Sequence, residues 1–152
     1  MGELWTDNTK LKTWLQVEIA VCEAQAELGY IPAEAVAEIK AKANFDLKRV
    51  LEIEAEVRHD MIAFLTNVNE YVGDVGRYIH LGLTSSDVLD TALALQMVGS
   101  LDVLLSCVEE LEQAIRYQAQ QHRKTVMVGR SHGIHAEPVS YTHLTLPTNR
   151  EV

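Results

Sequence analysis

The sequence predicts an all-α protein, in which an N-terminal helical domain is followed by the first long helix of a central helical bundle that we expect to be truncated. Three observations predict this fold class. Apolar residues recur at steps of three and four, helix-capping residues stand before these runs, and one run continues without a proline for about 38 residues.

The shorter helices come first. One is predicted to begin at Thr6 or Asp7 as N-cap and to end at Gly29. Its apolar positions are Leu11, Trp14, Leu15, Ile19, Cys22 and Ala26. Three more helices are predicted over residues 32–43, over 47–55 with Asp46 as N-cap, and from residues 58–60 to 73. Glycines punctuate residues 74–83, which we expect to be irregular.

The last helix is predicted to run from Thr84 to about His122. At about 57 Å it is longer than a domain of this size can cover by itself. Its apolar seam has close to the 3.5-residue period of bundled helices. The seam consists of Ala94, Val98, Leu101, Leu105, Val108, Leu111 and Ile115. This pattern predicts packing against other subunits of an oligomer.

The end of the chain has a different character. Residues 125–128 are rich in β-branched types and predict an extended stretch that enters a glycine turn. After Pro138 there is neither a helical period nor a core-sized apolar set. We therefore predict an N-terminal helical domain (1–83), the start of a central bundle domain (84–138) and a foreign or disordered tail (139–152).

Composition limits the class of partner. The chain has 152 residues, is 47% hydrophobic and carries a formal net charge of -9. Nucleic acid and anionic membranes are not expected as partners, because both require a basic surface. A small-molecule substrate is favoured. The chain has no evident signal peptide and no run of about 18 apolar residues, so we expect a cytoplasmic protein with Cys22 and Cys107 reduced.

Two clusters at predicted helix starts are candidates for anion binding. The first is Arg58-His59-Asp60, where helix N–H groups and the helix dipole favour negative charge. The alternative is an ordinary solvated helix start. The second cluster extends from His80 to the hydroxyl residues 84–86 and Asp87. A capping box explains Thr84 and Asp87, but capping does not need the further hydroxyls of Ser85 and Ser86. Capping and anion binding can coexist here.

The third cluster is the segment 129–138, Gly-Arg-Ser-His-Gly-Ile-His-Ala-Glu-Pro. Its glycines leave the backbone free to bring His132 close to a ligand, and imidazole is the side chain whose pKa is ordinarily nearest neutrality. We identify His132 as the candidate proton donor, and we expect His135 to orient its neighbour or to cap a backbone group. A zinc site made by these two histidines lacks a third ligand, so neither a metal nor another cofactor is expected.

Together the three motifs resemble the adenylosuccinate lyase family of the fumarase/aspartase superfamily. The resemblance rests on Arg58-His59-Asp60, on residues 80–88 (His-Leu-Gly-Leu-Thr-Ser-Ser-Asp-Val) and on the segment 129–138. It covers about nine tenths of the chain, from about Leu4 to Pro138. It implies an all-α homotetramer whose active sites are assembled from several subunits, with a nucleotide as the small-molecule substrate.

The resemblance also implies a reaction and residue roles. The family releases fumarate by β-elimination from adenylosuccinate, giving AMP, and from succinyl-carboxamide ribotide (SAICAR), giving AICAR. His132 is then the general acid, and His59 positions the substrate together with Arg58 and Asp60. Thr84 and Ser85 bind a carboxylate. His80 and Ser86 are supporting residues.

Departures from the family pattern keep two alternatives open. The family's base is a serine on a Ser-Ser-x-Met-Pro loop, and its N-terminal Arg-Tyr segment contacts substrate phosphate; neither has a match here. We therefore expect an N-terminal fragment that is inactive alone. The alternatives are a non-enzymatic helical oligomerisation module and another fumarate-releasing lyase, such as argininosuccinate lyase.

Overall fold

The computed structural model describes residues 1–139, and within them it contains five α-helices and one β-hairpin. The helices are α1 (Asp7–Glu27), α2 (Ala33–Lys42), α3 (Leu47–Val57), α4 (Asp60–Val72) and α5 (Ser85–Gln121). Short 3₁₀ helices span Gly2–Trp5 and Gly73–Tyr78, and the strands are β1 (Met127–Ser131) and β2 (Ile134–Val139). The predicted all-α class is confirmed, and the hairpin is an addition to it. The predicted tail lies outside the described residues except at Val139.

The observed helix ends agree closely with the capping residues read from the sequence. The Thr6 hydroxyl accepts a hydrogen bond from the Thr9 backbone N–H at 3.2 Å, which caps α1. The Asp46 carboxylate accepts one from the Arg49 N–H at 3.0 Å and caps α3. Gly29 follows α1 with φ of 77°, a conformation that favours glycine. The stretch predicted to be irregular contains the second 3₁₀ helix, which tertiary contacts with α2 and α4 support.

Residues 1–103 form one compact unit, and a second begins at Leu104; each is described by itself. The core of the first unit is centred on Phe64 of α4, which is completely buried. Its ring makes edge-to-face contacts with Trp14 of α1, at 5.6 Å between centroids, and with Phe45, at 6.1 Å. These aromatic contacts fix α4 against α1 and the loop before α3.

The start of the chain is bound to the middle of the long helix. The Trp5 indole N–H donates to the Ser100 hydroxyl at 2.9 Å, and the Gln96 amide donates to the Leu4 carbonyl at 2.6 Å. Gln96 and Ser100 belong to a narrow buried strip at four-residue spacing on α5 that also includes Val88 and Ala92. This strip is the part of α5 that packs on the first unit.

The predicted apolar seam of α5 is exposed along its length. The relative exposures of its large members lie between 53% and 59%. Moreover, α5 is long and apolar enough, by length and composition, to cross a membrane. The sequence nevertheless has no uninterrupted run of about 18 apolar residues, and the expectation that no membrane is a partner stays a prediction. Composition of this kind is weak evidence for a membrane, since core helices of water-soluble bundles have it too.

Alanine substitutions at two glycines are predicted to change the free energy of unfolding in opposite directions. A Cβ added to buried Gly76 lies 2.0 Å from the Asn69 Oδ1 and 3.1 Å from the Val72 Cγ2, so Gly76→Ala must displace the Asn69 side chain and crowds Val72 of α4. We expect it to lower the free energy of unfolding by about 1–3 kcal/mol. Gly99→Ala meets only Leu4, at 3.7 Å or more, and is expected to stabilise α5 by about 0.5–1 kcal/mol. Urea unfolding of both variants measures the difference. Equal stability of the two variants contradicts this packing.

Cys22 is predicted to be unreactive in the folded chain. It is 1% exposed, and its Sγ lies 3.6 Å from the Tyr78 carbonyl oxygen. Burial first, and then the charges of Glu18 and Glu23, raise the pKa of its thiol to about 11. At pH 8 about one thiol in a thousand is then ionised. In a Cys107→Ser variant we expect iodoacetamide to modify Cys22 at least about 100-fold more slowly in buffer than in urea. Similar rates under both conditions contradict the prediction.

Candidate active site

The first predicted cluster lies at the junction of α3 and α4. Arg58 ends α3 in a left-handed conformation, with φ of 54°, and its N–H bonds the Glu54 carbonyl at 2.8 Å. His59 is the N-cap of α4, and its Nδ1 accepts from the Ile62 N–H at 3.5 Å. Because Nδ1 accepts, the proton of a neutral His59 lies on Nε2, which can donate to a ligand. The Asp60 carboxylate accepts from its neighbouring Met61 N–H at 2.7 Å.

The second cluster lies at the start of α5. The backbone N–H and the hydroxyl of Thr84 both donate to the Asp87 carboxylate, at 2.8 and 3.1 Å. These two bonds, in that order, hold the pKa of the Asp87 carboxyl below its usual range, and nearby His80 contributes further. The predicted capping box is thus only half formed, because the Asp87 N–H bonds the Thr84 carbonyl instead of its hydroxyl. Ser85 is half-buried and Ser86 is exposed.

His80 is held beside this helix start by a buried acid. Its Nδ1 lies 2.6 Å from the Glu18 Oε1, and its backbone N–H donates to the Glu18 Oε2 at 2.9 Å. Glu18 is 1% exposed, whereas the His80 side chain is 18% exposed. His80 also has a left-handed backbone, with φ of 63°. The contact brings α1 into the neighbourhood of the second cluster.

The two clusters of the first unit face different depressions. Ser86, Asp87 and Asp90 line an open groove of about 790 Å³ between α1 and α5, whose other walls are mainly apolar. Asp60 lines a separate pocket of about 60 Å³ between α1 and α3. The structure therefore joins His80, Thr84 and Asp87 in one place and keeps the residues at 58–60 as a second group.

The third cluster forms the β-hairpin of the second unit. Arg130 pairs with His135 and Ser131 with Ile134, so His132 and Gly133 are the two residues of the connecting turn. Their φ angles are 50° and 76°, and positive values at both positions are what a type I′ turn requires. His132 is exposed. The Arg130 Nη2 donates to the His135 Nε2 at 3.2 Å, so that nitrogen carries no proton.

One backbone property links the three clusters. Among residues 1–139, the non-glycine residues with positive φ are Arg58, His80 and His132. Each such residue costs of order 1–3 kcal/mol, and strain of this type concentrates at functional sites. Each of the three lies in one of the motifs singled out from the sequence.

Glu18 is the residue that sequence reasoning missed. The apolar positions that the sequence predicts for α1 pass from Trp14 to Ile19 and Cys22 and leave Glu18 out. The buried residues of the helix instead include Trp14, Glu18 and Cys22, at four-residue spacing. An acid on the core-facing side of a helix was the available signal, because buried acids require a partner. Within the described residues, no group of three or more metal-ligating side chains comes together.

The fold and the three motifs together define a class of protein. Comparison of the chain with known proteins identifies that class. The family model described as lyase matches residues 1–149. The chain therefore belongs to the lyase family. A solved structure of fumarate lyase from Mesorhizobium sp. has a TM-score of 0.86 and 30% identity, covering 93% of this chain and 34% of that one.

More particular relatives confirm the resemblance to adenylosuccinate lyase. The adenylosuccinate lyase of Synechocystis sp. is 81% identical over 141 residues, and that of Bacillus subtilis is 46% identical over the same length. In each case the match covers 93% of this chain and 33% of the relative. The chain thus spans about one third of the length of these relatives.

Proposed function

We propose that this chain forms part of an adenylosuccinate lyase, which releases fumarate from adenylosuccinate to give AMP and from SAICAR to give AICAR. The relationship at 81% identity to an adenylosuccinate lyase supports this substrate class. The structural observation that carries the proposal is the left-handed backbone of Arg58, His80 and His132, one in each of the three motifs. Elimination needs a base for the carbon-bound proton, an acid for the leaving nitrogen and donors for the carboxylates. These motifs supply the acid and the donors, and we assign the base to the part of the relatives' length that this chain does not span.

His132 is the proposed general acid. It stands at the tip of a two-residue turn, where a β-hairpin limits its backbone freedom and its imidazole is exposed. An imidazole can donate a proton near neutral pH. Protonation of the leaving nitrogen avoids expelling an amide anion, which is the step for which this residue is needed.

Substrate binding is assigned to the two helix starts. His59 offers an Nε2–H donor, since its Nδ1 caps α4, and Arg58 adds an exposed positive charge. At α5, Ser85 and the first-turn N–H groups can hold a carboxylate as carbanion character develops beside it. Thr84 is less free for this role, because its hydroxyl already donates to Asp87. His80 and Ser86 support this group, and Asp60 supports His59.

The exposed seam of α5 is proposed to pack in a homotetramer in the cytoplasm. Exposed side chains at Leu105, Val108 and Leu111 have the spacing that a helical bundle buries. If the seam packs in a membrane, the protein is extracted only by detergent. If the seam packs in a homotetramer, the protein forms a discrete particle in buffer. Light scattering after size-exclusion chromatography distinguishes these two outcomes.

The test of function uses a hybrid enzyme, in which residues 1–139 of this chain replace the matching segment of the Synechocystis adenylosuccinate lyase. We expect the hybrid to convert adenylosuccinate to AMP and fumarate within about tenfold of the parent enzyme, because 81% identity preserves most packing contacts. Argininosuccinate is the comparison substrate and should not be turned over. A folded, assembled hybrid that converts neither substrate contradicts the proposal and favours a non-enzymatic oligomerisation module.

A further inference from the structure

Glu18 is an ionisable residue in the interior of the first unit. It lies in the middle of α1, is 1% exposed, and is among the largest fully buried side chains. Burying a carboxylate costs several kcal/mol unless its oxygens are well hydrogen-bonded. Both of its oxygens are satisfied by the same residue, His80, which is 62 positions away in sequence.

The two contacts have different consequences. The bond from the His80 backbone N–H to Oε2 supports the left-handed conformation at φ of 63°. The contact between Oε1 and Nδ1 fixes the imidazole ring. An ionised carboxylate can only accept, so the hydrogen of this bond lies on Nδ1. Nε2 is therefore the ring nitrogen left for another partner, and in the neutral ring it carries a lone pair.

His80 also lies near Asp87 of α5, whose carboxylate is already held by Thr84. The ring thus stands between a buried acid from α1 and the hydroxyl-rich start of α5. Packing alone does not account for an acid here, since an apolar residue of similar size fills the same volume without the desolvation cost. One oxygen of Glu18 is enough to accept from the backbone N–H of His80. The second oxygen contacts the imidazole ring, so it has a separate role.

We propose that Glu18 is a positioning residue for His80, which holds the imidazole in the Nδ1–H form and leaves Nε2 for the substrate. This inference rests on the proposed function for the identity of that substrate. The arrangement resembles other carboxylate–histidine pairs, in which the acid sets the tautomer and the orientation of the ring.

The informative variant is Glu18→Gln. Its amide oxygen can still accept from the His80 backbone N–H, but its NH₂ group then faces Nδ1 and can only donate. We therefore expect the neutral ring to switch from the Nδ1–H to the Nε2–H form. Glu23→Gln is the matched control, because it makes the same change on α1 at a half-exposed site paired with Lys40 at 2.5 Å.

The first readout is independent of catalysis. Long-range ¹H–¹⁵N correlation spectra of the chain labelled at histidine report the tautomer directly, and His80→Asn identifies the signal. The expected result is Nδ1–H in the native chain and in Glu23→Gln, and Nε2–H in Glu18→Gln. An Nε2–H form in the native chain, or an unchanged tautomer in Glu18→Gln, overturns the proposal.

The second readout is kinetic and uses the hybrid enzyme. Glu18→Gln should lower kcat/KM about 10–100-fold with little change in Tm, whereas Glu23→Gln changes neither. Unchanged kcat/KM overturns the positioning role and leaves the proposed function intact. A large fall in Tm, with activity restored at lower temperature, assigns Glu18 a purely structural role and also overturns it. An inactive unsubstituted hybrid counts against the proposed function, while the tautomer measurement still decides the role of Glu18.

Discussion

Replacing His132 with asparagine in the hybrid enzyme is expected to lower kcat by about 10²–10⁴-fold without loss of folding. The choice of asparagine separates chemistry from structure. His132 has φ of 50° in the turn before Gly133, and asparagine adopts this conformation readily, with Asn-Gly being a favoured type I′ pair. The hairpin should therefore be retained while the imidazole is lost. Steady-state turnover of adenylosuccinate measures the effect, and circular dichroism checks the fold.

The control for this variant is His122→Asn. His122 is exposed just after α5 ends, and its Nδ1 lies 3.2 Å from the Thr125 hydroxyl, so it shares the exposure of His132 without belonging to a motif. We expect it to retain full activity. If His132→Asn stays within about threefold of the unsubstituted hybrid, another group donates the proton, and the general-acid assignment is wrong.

Replacing Phe64 with alanine should lower the free energy of unfolding by about 3–5 kcal/mol. The side chain has no exposed surface and is in contact with Trp14 and Phe45, so its removal leaves a cavity between α1, α4 and the loop before α3. Since domains of this size are stable by only about 5–15 kcal/mol, the loss is a large fraction of the total. Guanidinium unfolding of the chain, followed by circular dichroism, measures it.

Ile62→Ala provides the comparison on the same helix. Ile62 is 46% exposed, and its truncation should cost less than about 1 kcal/mol. A Phe64→Ala variant that is no less stable than Ile62→Ala contradicts the packing described for α4.

Local signals account for the parts of the fold that the sequence predicted well. Thr6 and Asp46 cap their helices through contacts only three residues long, so the helix starts are readable without tertiary information. Of the hairpin, the sequence predicts an extended stretch that enters a glycine turn, but not the second strand. The additional signal was His132-Gly133 between two short apolar runs, because a glycine in the second turn position is typical of two-residue hairpins.

Features that depend on how side chains pack in three dimensions could not be predicted. Glu18 looks like any helical acid until His80 is placed against it, and the left-handed backbone of His80 has no sequence signature of its own. The side chains of Asn69 and Val72 leave no room for a Cβ at position 76. Their positions in the sequence, seven and four residues before Gly76, do not reveal this crowding. For the candidate site, residue types and motif positions were therefore readable, whereas their hydrogen-bond partners and ring tautomers were not.

The attachment of Leu4 and Trp5 to Gln96 and Ser100 has a consequence during protein synthesis. Partners 92 and 95 positions apart cannot meet until the ribosome has released the middle of α5, so the first residues to be made are among the last to be secured. The helix pair α3 and α4, joined by two residues, can associate much earlier. The α3–α4 pair can therefore form while the contacts of Leu4 and Trp5 with the long helix still await its synthesis.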